Sequence, residues 1–248
     1  MTLDASVVPV SGLSIRDVER MHALMDRYYE NVGRKTFVSD LMEKDAVTLV
    51  RDAAGAIRGF STIMDLTACV GGMPVTAVFS GDTVIDRDCR GGNELQSAWA
   101  RHVVGRAAAR SHPTYWFLIS KGYKTYRFLP VYFREFMPSP DGTDESLARI
   151  RDVFARQKFG DAYDPSTGLI RVGHKDRLRP DVAPVTARRL RDRHVRYFVS
   201  QNPGWQSGDE LACIARISED NMRGAFRRVL GRRRRGPRPR ASRRSTPG

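Results

Sequence analysis

The sequence predicts an α/β protein with an α/β C-terminal extension and a disordered Arg-rich tail. Three observations predict it. Over residues 1–138, apolar residues at helical spacing alternate with β-prone runs. Pro138-Ser139-Pro140-Asp141-Gly142 reads as a linker to a further set of helices and strands, residues 139–230. From residue 231 to 248 only Ala241 belongs to the hydrophobic class, so no core is available there and disorder is expected.

The elements follow in order. Ser6–Val10 is a short strand, at a sheet edge because Pro9 lacks an N–H. Ser14, with Asp17 three residues on, starts a helix through a capping-box variant. Val18, Met21, Met25, Tyr28 and Val32 form its apolar face, and Gly33 closes it. Ser39 caps a short second helix over Asp40–Lys44. Ala46–Val50 and Ala56–Met64 form a hairpin about Asp52-Ala53-Ala54-Gly55. Gly71-Gly72-Met73-Pro74 makes a second turn, followed by a strand over Val75–Val84.

A glycine-containing turn then leads into a helix over Glu94–Arg110, with Leu95, Trp99, Val103 and Ala107 at helical period. Tyr115–Ile119 is a buried strand rich in aromatic and β-branched residues. Tyr123–Leu129 is a short helix ending before Pro130. Beyond the linker, helices are expected over Glu145–Phe159 and Thr186–Ser200, and strands over Leu169–Val172 and Glu210–Ile217. A last helix, capped by Ser218, runs to about Leu230.

Composition narrows the function. Hydrophobic residues make up 41% of the 248, enough for a core, yet no apolar run approaches the roughly 18 residues a membrane-spanning helix needs. The N-terminal segment lacks the features of a secretory signal, so a cytoplasmic protein is expected. Three widely spaced cysteines, Cys69, Cys89 and Cys213, exclude a disulfide scaffold and a CxxC zinc site, and the isolated His174 and His194 show no metal spacing. The net charge of +14 is local. Ten arginines and no acid lie between Arg227 and Gly248, and without them 32 basic residues face 28 acidic ones. The tail has three readings: polyanion contact through Arg232–Arg244, a solubilising end, or a coding bias towards arginine.

Three segments carry chemistry. The first is the strand-turn-strand Val47–Phe60, with Asp52 and Gly55 at its turn and Gly59 in its second strand. The second is Val84–Leu95, a strand, the turn Arg90-Gly91-Gly92-Asn93 and a helix start. A turn that presents free N–H groups at a helix N-terminus suits phosphate oxygens, and Arg90 adds a charge-assisted contact. The third is Leu118–Tyr126, a strand followed by a short helix.

Together these segments resemble the GNAT (N-acetyltransferase) superfamily over about Ser6–Pro138, which implies a GNAT-like acyltransferase fold with a mixed central sheet flanked by helices. The resemblance implies acetyl-CoA or another acyl-CoA as co-substrate, with its pyrophosphate on Arg90, Gly91, Gly92 and Asn93. Its pantetheine arm would run along Thr83, Val84 and Ile85. The turn departs from the family at Asn93 and Leu95, where Gly and Gly or Ala are usual. It also implies transfer to an amine, small molecule or peptide. Asp82, near the end of the strand flanking the thioester, is the candidate base, with a turn or cap carboxylate as the alternative. Tyr126, six residues past Ser120, is the candidate proton donor to the thiolate, with packing beside Tyr123 and Phe128 as its alternative. The extension is read as a cover for the acceptor site or a homodimer contact. A catalytically inactive CoA-binding protein and a nucleic-acid-associated factor remain the competing readings.

Overall fold

The computed structural model describes residues 2–89, 91–171 and 176–231. Arg90, His174 and the tail from Arg232 onward lie outside the described residues. In chain order the elements are β1 (Leu3–Pro9), α1 (Ile15–Tyr28), β2 (Tyr29–Glu30), α2 (Arg34–Met42), β3 (Ala46–Asp52), β4 (Ile57–Val70) and β5 (Met73–Ile85). There follow α3 (Glu94–Ala108), β6 (Thr114–Ser120), α4 (Tyr123–Tyr126), α5 (Phe128–Tyr132) and α6 (Glu145–Phe159). Then come β7 (Tyr163–Asp164), β8 (Leu169–Ile170), β9 (Arg177–Leu178), α7 (Arg193–Gln201), β10 (Glu210–Arg216) and α8 (Gly224–Gly231).

Eight strands form one mixed sheet in the order β1-β3-β4-β5-β6-β10-β8-β7, and β2 pairs with β9 apart from it. Every pairing is antiparallel except that of β5 with β6, which the α3 crossover joins in parallel. β1 is an edge strand and Pro9 is its last residue, as the missing N–H requires. The 139–230 segment continues the same sheet, because β10 lies against β6 from Leu211↔Ser120 to Arg216↔Tyr115.

Alternation along the central strands sorts the core into two layers. Val47, Leu49, Phe60 and Val84 face α1 and α2, while Phe79 and Phe117 face Phe154 of α6 on the same side. On the other face Val78, Trp116 and Leu118 pack with Trp99 and Val103 of α3 and with Phe226 of α8.

Local chemistry accounts for the boundaries. Ser14 Oγ accepts from the Asp17 N–H at 3.1 Å, and Asp17 Oδ2 accepts from the Ser14 N–H at 3.2 Å, a complete capping box. α1 stops at Tyr28 rather than Val32, because Tyr29 and Glu30 turn extended to pair with Leu178 and Arg177. α2 starts at Arg34, earlier than Ser39, and buries Phe37 and Leu41. Thr186–Ser200 is not one helix. Asp192 accepts from the His194 N–H and starts α7 afresh after a single 3-10 turn. Pro130 sits in the first turn of α5, where its missing N–H costs nothing, so it does not end a helix there. α6 covers Glu145–Phe159 as expected, capped by Asp144.

Candidate functional site

β5 and β6 run side by side only from Thr76↔Thr114 to Ser80↔Leu118. Beyond that, the two strands follow different partners. β6 continues with β10 through Ile119↔Ala212 and Ser120↔Leu211, whereas β5 stays with β4 through Thr83↔Ser61, Val84↔Phe60 and Ile85↔Gly59. The β4–β5 ladder shifts between Ser61 and Ile63, so Gly81 and Asp82 together oppose the single residue Thr62. Such a bulge bends and twists its strand and re-aims a side chain. The result is a wedge between two central parallel strands, with one edge of residues 81–85 left without a strand partner.

Three cavities meet at this wedge, and Gly81 borders all of them. A Cβ on Gly81 would lie 2.8 Å from Thr62 Oγ1 and 3.3 Å from Phe79, so the bulge holds no side chain there. The first cavity, about 230 Å³, occupies the wedge itself between Thr83–Ile85 and Lys121–Thr125, with Tyr29 on its flank. The second, about 40 Å³, is lined mostly by apolar groups under α3: Trp99, Trp116, Leu118, Phe128 and Tyr132. Ser80 forms part of its floor, its Oγ accepting from both indole N–H groups at 3.1 and 3.0 Å. The third, about 400 Å³, opens on the α1–α2 side between Phe37, Phe79 and Phe159.

Asp82 borders the first and third cavities, so it stands at their joint. Among the described residues its carboxyl has no hydrogen-bond or ion-pair partner. Burial raises its pKa to about 6, Asp40 and Asp176 add to the rise, and Lys121 and Lys44 oppose it. A carboxyl in that range changes charge close to neutrality, as a working base must.

Lys121 faces Asp82 across the wedge from the end of β6. Its ammonium contacts Asp176 Oδ2 at 2.5 Å and Glu210 Oε1 at 3.4 Å, and it lies 5.6 Å from the Tyr29 ring centre. Burial works against its charge, but Glu210, Asp176 and Asp82 outweigh it and hold the lysine protonated. No spacing in the sequence points to this grouping of Lys121 with Asp176 and Glu210.

The end of β5 is anchored by Asp86, which is fully buried. It accepts from the Tyr28 hydroxyl at 2.7 Å and pairs with Arg27 at 3.3 Å and Arg58 at 3.6 Å. Burial pushes its carboxyl up, yet these partners prevail and hold it below the ordinary value. The chain then turns through Gly91, at φ +108°, to Asn93, the N-cap of α3. The first intrahelical bond is Ser97 N–H to the Asn93 carbonyl, leaving the N–H groups of Glu94, Leu95 and Gln96 at the helix mouth. Leu95 turns away from that mouth into the core with Ala5, Val50 and Ala98. The Glu94 carboxylate lies across Gly92.

Of the residues expected to act, Asp82, Thr83, Val84 and Ile85 come together on the wedge, and Gly91, Gly92 and Asn93 form the turn at the mouth of α3. Arg90 lies outside the described residues. Tyr126 is not brought to the cleft. It is fully buried between Phe136, Tyr197 and Phe198, and its hydroxyl donates to the Pro138 carbonyl at 2.9 Å. Tyr132, at the end of α5, lines the apolar cavity instead, and burial raises its phenol to about 12. Cys89 is buried, and burial pushes its thiol up, away from the thiolate form. No metal-binding cluster occurs among the described residues, and no described helix is long and apolar enough to cross a membrane.

A mixed sheet flanked by helices, with a glycine turn leading into a helix, is what the sequence resemblance implies. The fold is a mixed sheet flanked by helices. No family model matches the chain, and no curated protein does. Among solved structures, it is similar to a probable N-acyltransferase of Enterococcus faecalis V583, at 13% identity and TM-score 0.42. That likeness covers 55% of this chain but only 33% of the enterococcal protein. The GNAT family N-acetyltransferase YhbS of Escherichia coli, solved with CoA, matches at 17% identity and TM-score 0.38, over 52% of this chain and 69% of its own. A ribosomal-protein-alanine N-acetyltransferase of Brucella melitensis biovar Abortus 2308 matches at 18% and 0.34, over 47% and 79%.

Proposed function

We propose that this protein is an acyl-CoA-dependent N-acyltransferase of GNAT type, most simply one that moves acetyl from CoA to an amine. One observation carries the reading: a carboxyl without a partner among the described residues, Asp82, raised by burial to about 6, stands where a cleft between parting parallel strands meets a second cavity. The free edge of Thr83–Ile85 suits the amides of a pantetheine arm, and the mouth of α3 suits its pyrophosphate. The acceptor enters from the α1–α2 side.

Asp82 takes the proton of the incoming ammonium, and the freed nitrogen lone pair attacks the thioester carbonyl carbon. Backbone N–H groups near Val84 hold the oxyanion. The C–S bond then breaks with its electron pair on sulfur. Tyr132, on the small apolar cavity that meets the wedge, is the phenol proposed to give its proton to that thiolate. The second proton of the attacking nitrogen passes to solvent as the amide forms, and solvent returns a proton to the phenol.

A CoA-binding protein without turnover is the second reading, favoured by the departures of the turn at Asn93 and Leu95; the Glu94 carboxylate over that turn weakens phosphate binding in either case. Calorimetry with acetyl-CoA, followed by a thiol-release assay with an amine panel, tests both. No binding at millimolar acetyl-CoA overturns the proposal; binding without release of CoA favours the second reading.

A further inference from the structure

We infer that the acceptor is a monoamine on an apolar, ring-sized body, rather than a polyamine or an amino acid; this rests on the acyltransferase reading above. The charge inventory of the α1–α2 cavity carries it. Three carboxylates border that cavity: Asp40, Asp82 and Asp176. Two already have cations. Asp40 holds Lys44 at 2.7 Å, and Asp176 holds Lys121 at 2.5 Å. The lysine on the cavity wall, Lys158, is held by Glu43 at 2.5 Å and lies 3.9 Å from Asp40. Among the described residues, that leaves one carboxylate, Asp82, for one ammonium.

A second ammonium on a polyamine would have to break one of these pairs or stay unpaired in a half-enclosed space. A carboxylate on the acceptor meets the same difficulty with the opposite sign. It would lie near Asp82, and among the described residues every neighbouring lysine is engaged. Apart from the neutral side chains of Asn31 and Thr36, the rest of the wall is apolar and includes three phenyl rings, Phe37, Phe79 and Phe159, whose faces and edges suit an aryl or compact alkyl group. The volume of about 400 Å³ accommodates such a body beside the amine. The cavity therefore discriminates by charge number as well as by shape.

The experiment compares phenethylamine, phenylalanine and spermidine as acceptors for the full-length protein, reading CoA release at saturating acetyl-CoA. Phenethylamine and phenylalanine share a ring and an amine and differ by one carboxylate. The expected result is a kcat/KM for phenethylamine at least about tenfold above each of the others, the size of one lost or opposed charge contact. Lys158→Gln would remove a cation from the cavity wall and release Glu43, and should move the spermidine-to-phenethylamine ratio up by about tenfold. The inference is overturned if spermidine or phenylalanine matches phenethylamine, if Lys158→Gln leaves the ratio unchanged, or if none of the three releases CoA from a protein that binds acetyl-CoA. Failure to bind acetyl-CoA instead removes the acyltransferase reading itself.

Discussion

Replacing Asp82 with Asn should move activity and stability in opposite directions, and the structure gives a size to each. The wild-type carboxyl titrates near 6 because burial disfavours its charge. With that value about a tenth of the protein carries the ionised base at pH 5 and about nine tenths at pH 7. The acceptor amine also titrates over this range, but equally in both proteins. The ratio of wild-type to Asp82→Asn kcat/KM therefore isolates the carboxyl. It should climb about tenfold from pH 5 to pH 7 and level off above. Stability follows the other sign. A folded-state pKa above the ordinary 3.8 means the folded protein binds this proton more tightly than the unfolded chain. Its stabilising contribution is complete below pH 4 and is lost as pH rises through about 6. The rise from 3.8 to about 6 sets a ceiling of about 3 kcal/mol, and the partial solvent exposure of Asp82 reduces this to about 1 kcal/mol. Asp82→Asn should then be the more stable protein at pH 7.5 and indistinguishable from wild type at pH 4, by urea denaturation. A pH-independent activity ratio, or a variant less stable at pH 7.5, would refute the reasoning.

Further outcomes follow from the same geometry. Tyr132→Phe should lower turnover about 100-fold while leaving acetyl-CoA affinity nearly unchanged, whereas Tyr126→Phe should keep turnover within about twofold and cost about 1 kcal/mol of stability through its lost bond to Pro138. Equal activity loss in the two variants would contradict their assigned positions. Glu94→Gln should tighten acetyl-CoA binding three- to tenfold by about the worth of one nearby like charge, and the gain should shrink in high salt; calorimetry showing weaker binding would oppose a phosphate site there. Lys121→Met removes the cation from between Asp176 and Glu210, and should cost about 3 kcal/mol in chemical denaturation at pH 7. A change under about 0.5 kcal/mol would mean the cluster is solvated in solution.

Local signals are legible in the sequence and distant ones are not. The Ser14–Asp17 box and the Asp144-capped α6 are set by residues within one helical turn, so the sequence pattern is enough to find them. Asp82 is visible because its place at the strand end follows from the strand-turn-helix order. Its lack of partners is not, since that depends on Lys121 being drawn to Asp176 and Glu210 from elsewhere in the chain. Choosing between Tyr126 and Tyr132 turns on which way the chain rotates after β6. Spacing from Ser120 favours the first, but packing by Phe136, Tyr197 and Phe198 claims it, and those side chains come from the later chain. The bulge at Gly81–Asp82 leaves no mark beyond a glycine, because it is a mismatch between two strands rather than a property of either.

The pairing of β6 with β10 has a consequence for how the protein is made. One wall of the wedge, the end of β6, is held by a strand that leaves the ribosome about ninety residues later. Until then Tyr115-Trp116-Phe117-Leu118-Ile119 presents an open edge of bulky apolar residues, a template for pairing with another nascent chain. A gene product stopped at Pro138 keeps the strands and turn that the resemblance covers, yet it should accumulate as aggregate rather than as a small acyl-CoA binder. Supplying residues 139–231 as a separate chain during synthesis, to lend β10 in trans, is the way to recover it.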